Sequence, residues 1–155
     1  MCRAHTLNKM KNTTKQHISQ SPTDFGIIPL PHHTDERGTL CVADGSDQAF
    51  PFKVKRAFWI YDVPQDQTRG QHAHHSCAEV LIPLCGSFVA HVNDGTRTMD
   101  FVMNNRNEGL YIPPMVWCSF SDFSTDCVCL CLTSDEYDKE GYINDLNLYL
   151  NEKQK

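Results

Sequence analysis

Nothing in the 155 residues resembles a membrane span: no apolar run approaches the ~20 residues that a transmembrane helix needs. Positive charge is scarce. Lys and Arg number 14 against 19 Asp and Glu, a net charge of −5, and unspecific nucleic-acid binding needs a basic face instead. That balance still leaves room for a small anionic ligand held by one or two local arginines. Gly and Pro, at 8 each, are too few for a collagen-like or wholly low-complexity chain. The first ten residues hold no apolar stretch of the kind a secretory leader carries, so a cytoplasmic location is expected. Cysteine, by contrast, is plentiful at 8. Cys127, Cys129 and Cys131 alternate in one apolar run, which puts three thiols on one face of a strand. Neighbours two apart on a strand are badly placed to bridge each other, so these read as core thiols in a reducing compartment.

Residues 1–23 are polar, without periodicity, and end in Ser21-Pro22; they read as a disordered tail. Residues 24–155 read as one domain, of a size that buries a core without staples. Short β-rich runs alternate with turn residues about every ten positions, the texture of a sandwich or barrel. The candidate strands are Phe25–Leu30, Thr39–Ala43, Phe52–Tyr61, Glu79–Leu84, Ser87–Val92, Arg97–Met103, Gly109–Ile112, Val116–Ser121 and Cys127–Leu132. Asn93-Asp94-Gly95-Thr96 and Arg37-Gly38 read as turns. Only the C-terminus carries a helical stripe, at Tyr142, Leu146, Tyr149 and Leu150.

The chemistry concentrates in Arg69-Gly-Gln-His72-Ala-His74-His75-Ser-Cys-Ala-Glu79, followed by an apolar strand and Gly86. His72 and His74 are two apart, so a strand aims both imidazoles at one face, where they can move protons or hold a metal. His75 then faces the other way. The spacing His-x-His, four residues, Glu, six residues, Gly matches the first motif of the cupins. The stretch Gly109–Cys118 matches the second motif, with Cys118 where a cupin metal site has its histidine.

A closer resemblance rests on Asp35-Glu-Arg37-Gly38, Phe50–Arg56, Arg69–His74, Gly109–Trp117, Ser121–Cys127 and Ser134–Asp138. Together, and in this order, these segments resemble the sugar 3,4-ketoisomerases of the WxcM-like type. The resemblance implies an all-β cupin jelly-roll sandwich with a short C-terminal helix, working as a homodimer with no cofactor or metal. It implies a cytoplasmic isomerase that moves the ketone of a dTDP-4-keto-6-deoxyhexose from C4 to C3. The product would pass to an aminotransferase on the way to a deoxyamino sugar of lipopolysaccharide O-antigen or another surface polysaccharide.

The resemblance implies Arg37, Arg69, His72 and His74 in the pocket with Trp117 on its wall, and the neighbouring positions Tyr61, Glu79 and Cys118 are added as candidates. His72, His74 and Arg37 are the catalytic candidates. Arg69, Tyr61, Trp117, Glu79 and Cys118 are the substrate-binding candidates, and no residue is assigned to a metal. The chemistry suits them. A ketone shift takes a proton from C3, passes through an enediolate and returns a proton at C4, work for a group tuned near neutral pH. A guanidinium beside the enediolate, Arg37, would stabilise charge that develops in the transition state. Arg69 offers planar paired donors to a diphosphate.

This chain departs from the family pattern at three places. Phe58-Trp59-Ile60-Tyr61 stands where adjacent tyrosines are common, Glu79 where Gln is common, and Cys118-Ser119 where His-Glu is common. Three other readings therefore stand beside the isomerase: a 3,5-epimerase of a similar sugar, a non-catalytic cupin that binds a nucleotide sugar, and a metal-dependent dioxygenase on His72, His74, Glu79 and Cys118.

Overall fold

The computed structural model describes residues 24–44 and 50–155; the expected tail over 1–23 lies outside them. Two five-stranded antiparallel sheets face each other. Sheet I runs β1(Gly26–Pro29), β9(Glu108–Ile112), β6(Glu79–Cys85), β11(Val128–Thr133), β4(Arg56–Tyr61). Sheet II runs β12(Tyr142–Ile143), β5(Arg69–His74), β10(Trp117–Ser121), β7(Phe88–Asn93), β8(Thr98–Met103). A separate hairpin, β2(His32–Asp35) and β3(Gly38–Cys41), pairs with neither sheet. This is the expected jelly-roll sandwich. Among the described residues no helix is long and apolar enough to cross a membrane.

Period-two alternation builds the core. Leu81, Leu110, Ile112, Cys129 and Cys131 from sheet I meet Phe88, Ala90, Val92, Met103, Cys118 and Phe120 from sheet II. All are buried, and removing such side chains from water is the main stabilising term. The alternating cysteines serve as small hydrophobes: Cys129 and Cys131 lie with sulfurs 3.9 Å apart, and the described cysteines are free thiols. On the outer face of sheet I, Phe50, Phe52 and Val54 cover Val80, Ile82, Tyr111 and Leu132. The expected strand over 52–61 therefore starts only at Arg56, because its first residues fold over the sheet as a cover.

The outer face of sheet II is covered by α1(Leu146–Lys153). Asp145 caps it, its carboxylate accepting from the Leu148 amide at 2.8 Å. Tyr149 is fully buried against Ala73, Ile143 and Trp117, and its hydroxyl donates to the carbonyls of Asn93 and Met115 at 2.7 and 3.2 Å. The cap starts the helix at Leu146, so Tyr142 is not on the helical stripe but on the two-residue strand β12, paired to His74. The expected turn at Asn93–Thr96 joins β7 to β8, with Gly95 at φ +93° and the Asp94 carboxylate accepting from the Thr96 and Arg97 amides.

Candidate active site

One irregularity decides what faces the barrel interior. Strand β5 pairs with β10 as Cys118↔His72, Ser119↔Gly70 and Phe120↔Arg69, with a register shift between Cys118 and Ser119. The extra residue falls at Gly70-Gln71, whose φ values are +76° and +62°. Cys118 and Phe120 are inward core residues. The bulge therefore gives Arg69, an odd-numbered neighbour of two even-numbered histidines, the same face register as His72. Plain alternation would have turned it away.

His72 and His74 point into one end of the sandwich with ring centroids 4.9 Å apart. His74 is buried, its Nε2 at 3.2 Å from Glu79 Oε1, and Glu79 is buried too. His72 is half-buried. Burial is the main cause that holds its pKa below the ordinary histidine value, opposed chiefly by the Glu79 charge. The Gly70 carbonyl beside the ring also opposes that shift, and the ring's Nε2 is buried and finds no partner among the described residues. A neutral imidazole with a buried, free nitrogen is a proton acceptor in waiting.

Two residues that sequence reasoning left out of the site complete it. Tyr142 packs its ring on His74 at 4.3 Å and on His72 at 5.0 Å. Arg56 reaches the Tyr142 hydroxyl with Nη2 at 3.4 Å and lies over the faces of Phe58 and Tyr137 at 5.1 and 5.4 Å. Signals existed for both. Arg56 alternates with Phe58 and Ile60 on the inward face of β4. Asp145 as helix cap leaves Tyr142 in the extended segment before it.

The remaining candidates divide. Cys118 is buried at the His72 pairing position, its sulfur 3.6 Å from the His72 carbonyl oxygen, and burial pushes its thiol pKa well up. It therefore stays protonated at neutral pH, a poor nucleophile. His72, His74 and Glu79 bring three ligand atoms within 4.8 Å of one another, a donor set compatible with a divalent metal. Within this chain the structure does not bring Tyr61, Trp117 or Arg37 to the histidines. Tyr61 is 56% exposed on the outer side of β4. Trp117 alternates with inward Cys118 and lies against Tyr149 under α1 at 5.8 Å. Arg37 sits at the β2–β3 hairpin, ion-paired with Asp35 at 2.6 Å and 84% exposed. His75 faces the helix side, 3.7 Å from Glu152.

A second polar chain, Asp100–His91–Ser121, crosses the outer face of sheet II at 2.7 and 2.8 Å. The Ser121 hydroxyl donates to Asp122 at 2.7 Å, so its proton is already committed. This is a cross-strand tie and not an activated nucleophile.

Comparison with known proteins fits this geometry. The model of the family described as WxcM-like, C-terminal (FdtA) matches residues 23–154. The chain is 39% identical over 117 residues to a TDP-4-oxo-6-deoxy-alpha-D-glucose-3,4-oxoisomerase of Aneurinibacillus thermoaerophilus, covering 76% of this chain and 84% of that one. Among solved structures, a TDP-fucose-3,4-ketoisomerase of Campylobacter jejuni superposes with TM-score 0.80 at 34% identity, over 84% of this chain and 96% of that one. A sugar 3,4-ketoisomerase of Thermoanaerobacterium thermosaccharolyticum in complex with TDP gives TM-score 0.81 at 33% identity, over 85% and 96%.

Proposed function

The chain belongs to the WxcM-like family, and on that premise we propose that the His72–His74 end of the sandwich is a nucleotide-sugar ketoisomerase site. The reaction moves the ketone of a TDP-4-keto-6-deoxyhexose from C4 to C3. The observation that carries the assignment to these residues is the His72 imidazole. It is held neutral by burial and carries a buried, unpartnered Nε2 beside a second histidine.

The C3 proton goes to His72 Nε2, and the same imidazole, now charged and exchanging its proton with solvent, delivers a proton at C4. One group can serve both carbons because they are adjacent and the enediolate is planar. His74 is held by Glu79, which orients its ring beside the reacting carbons. Arg56 is the cation nearest the two rings in this constellation and opposes the negative charge that develops on oxygen. Arg69, on the same face register, is the donor for the diphosphate. The route is a proton shuttle and calls on no cofactor.

The working protein is a homodimer. The exposed side chains Trp59, Tyr61 and Leu40 support this: they are 62%, 56% and 64% exposed, on the outer side of β4 and on a hairpin that pairs with neither sheet. Such surface is unusual on a lone soluble domain. Arg37 rides on that hairpin, so its contribution depends on where the second copy receives it. Light scattering should give about twice 17.7 kDa. The product is a 3-keto sugar suited to an aminotransferase, so the enzyme belongs in the cytoplasm, before assembly of a deoxyamino sugar into surface polysaccharide. The direct test is incubation with TDP-4-keto-6-deoxyglucose followed by carbon NMR. A carbonyl resonance assigned to C3 supports the proposal; an unchanged substrate spectrum overturns it.

A further inference from the structure

The isomerisation must move protons at oxygen as well as at carbon, and the two histidines do not cover both needs. His72 has a free nitrogen for carbon. His74 has its Nε2 engaged by Glu79 at 3.2 Å. A third proton-bearing group stands between them. Strand β12 pairs Tyr142 with His74, and its ring touches both imidazoles. Its hydroxyl accepts from Arg56 Nη2. The guanidinium is held between the rings of Phe58 and Tyr137, so its position is set from two sides.

Among the described residues, the buried side-chain nitrogen and oxygen atoms without a hydrogen-bond partner are two: His72 Nε2 and Arg56 Nε. Both belong to side chains that touch Tyr142. A buried polar atom left unsatisfied is costly and calls for an explanation. Here the two unpartnered atoms sit on side chains that meet at one hydroxyl-bearing ring, a grouping that suits a ligand presenting a carbon acid and its neighbouring oxygens.

We infer that Tyr142 is the oxygen-directed acid of the isomerisation, with Arg56 holding the negative charge on its phenolic oxygen between the two half-reactions. The inference rests on the ketoisomerase reading of the same site. In the first half-reaction His72 Nε2 takes the C3 proton, the C–H pair becomes the C3–C4 double bond, and the carbonyl π pair moves to O4. O4 takes the Tyr142 proton. In the second half-reaction the O3 proton passes to the phenolate, and the O–H pair becomes the C3 carbonyl. The C3–C4 π pair then takes the proton from the His72 imidazolium at C4. Substrate and product are isomers, no electrons enter or leave, and both side chains end as they began. Tyr142 thereby supplies the hydroxyl that Phe58, on the facing strand, does not carry.

The test uses the full chain and Tyr142→Phe, which keeps the ring contacts and removes the proton. The expected result is a kcat lower by about 10²-fold, the usual scale for loss of a general acid, with the dissociation constant for TDP within twofold of wild type. A kcat within threefold of wild type overturns the inference, and so does a loss of TDP binding as large as the loss of kcat. If the wild-type chain itself does not convert TDP-4-keto-6-deoxyglucose, the ketoisomerase reading fails with it. If the wild type converts and Tyr142→Phe converts equally, only the inference fails. Should Tyr142→Phe not fold, Arg56→Lys and Arg56→Met decide. The lysine variant should retain at least about tenfold more kcat than the methionine variant, because it keeps the cation; equal rates overturn the inference.

Discussion

Replacing Gly70 with alanine should damage stability and ligand binding together, because one backbone feature serves both. Gly70 sits at φ +76° in the bulge of β5. A Cβ there would stand 3.0 Å from the Cys118 carbonyl oxygen and 3.1 Å from both the Ser119 Cα and the Phe120 ring. The left-handed conformation costs an L-residue roughly 1–2 kcal/mol, and two of the crowded atoms are backbone of a paired strand, which yields little. A total near 2 kcal/mol lowers the melting temperature of a domain this size by roughly 6–10 °C. The bulge also gives Arg69 its face. Relaxation of the bulge therefore withdraws a charged donor from the diphosphate, worth roughly tenfold or more in TDP affinity. Calorimetric melting and TDP titration on Gly70→Ala measure both effects. Gly26→Ala is the control, since a Cβ at Gly26 meets nothing within 4 Å. A Gly70→Ala protein that melts and binds TDP as Gly26→Ala does would refute the reasoning.

Three further outcomes can be checked on the same preparation. His72→Asn and His74→Asn should each lower kcat by roughly 10²-fold or more, whereas His75→Asn, on the helix side, should leave turnover within about twofold; equal loss at all three would contradict the strand register. Tyr149→Phe strips the donor from the Asn93 and Met115 carbonyls and should cost about 1–3 kcal/mol in urea unfolding, with no shift of the midpoint counting against the α1 anchor. His72 must be neutral to accept a proton and its pKa is lowered by burial. The acid limb of kcat/KM should therefore lie below the ordinary histidine value of about 6.5. The same shift means the unfolded chain binds the proton more readily. The stability due to His72 is thus present above about pH 6.5 and lost as pH falls through its folded pKa, which pH-dependent melting reads.

The sandwich was legible because its strands alternate strictly where one face is buried, as in Phe88-Val-Ala-His-Val92 and Cys129-Leu-Cys131. Asp94-Gly95 marked its turn by chemistry alone. Strand β2 was not legible: His32, His33, Thr34 and Asp35 are all exposed and carry no alternation. The extended reading of 52–61 failed at its start because Phe52 and Val54 are apolar for a reason other than strand burial: they lie over sheet I as a cover. In the site, His72, His74 and Glu79 came from spacing. The placements of Tyr61 and Trp117 depend on which parity of β4 and β10 faces inward, and composition does not reveal parity when both faces are covered. Arg69 reaches its face through a bulge, and a Gly-Gln pair is a faint signal for one. Tyr142 was assigned to the helix because i, i+4, i+7 spacing continued across a cap that should have interrupted it.

The most direct test is to run the reaction in D₂O and find where deuterium enters the sugar. A ketoisomerase built on His72 takes a proton at C3 and delivers one at C4, so the product should be a 3-keto sugar carrying deuterium at C4, with none at C5, and His72→Asn should abolish the incorporation. Deuterium at C5 would mean epimerase chemistry, and unconverted sugar with no deuterium on any ring carbon would mean a binding protein. Either result would contradict the account.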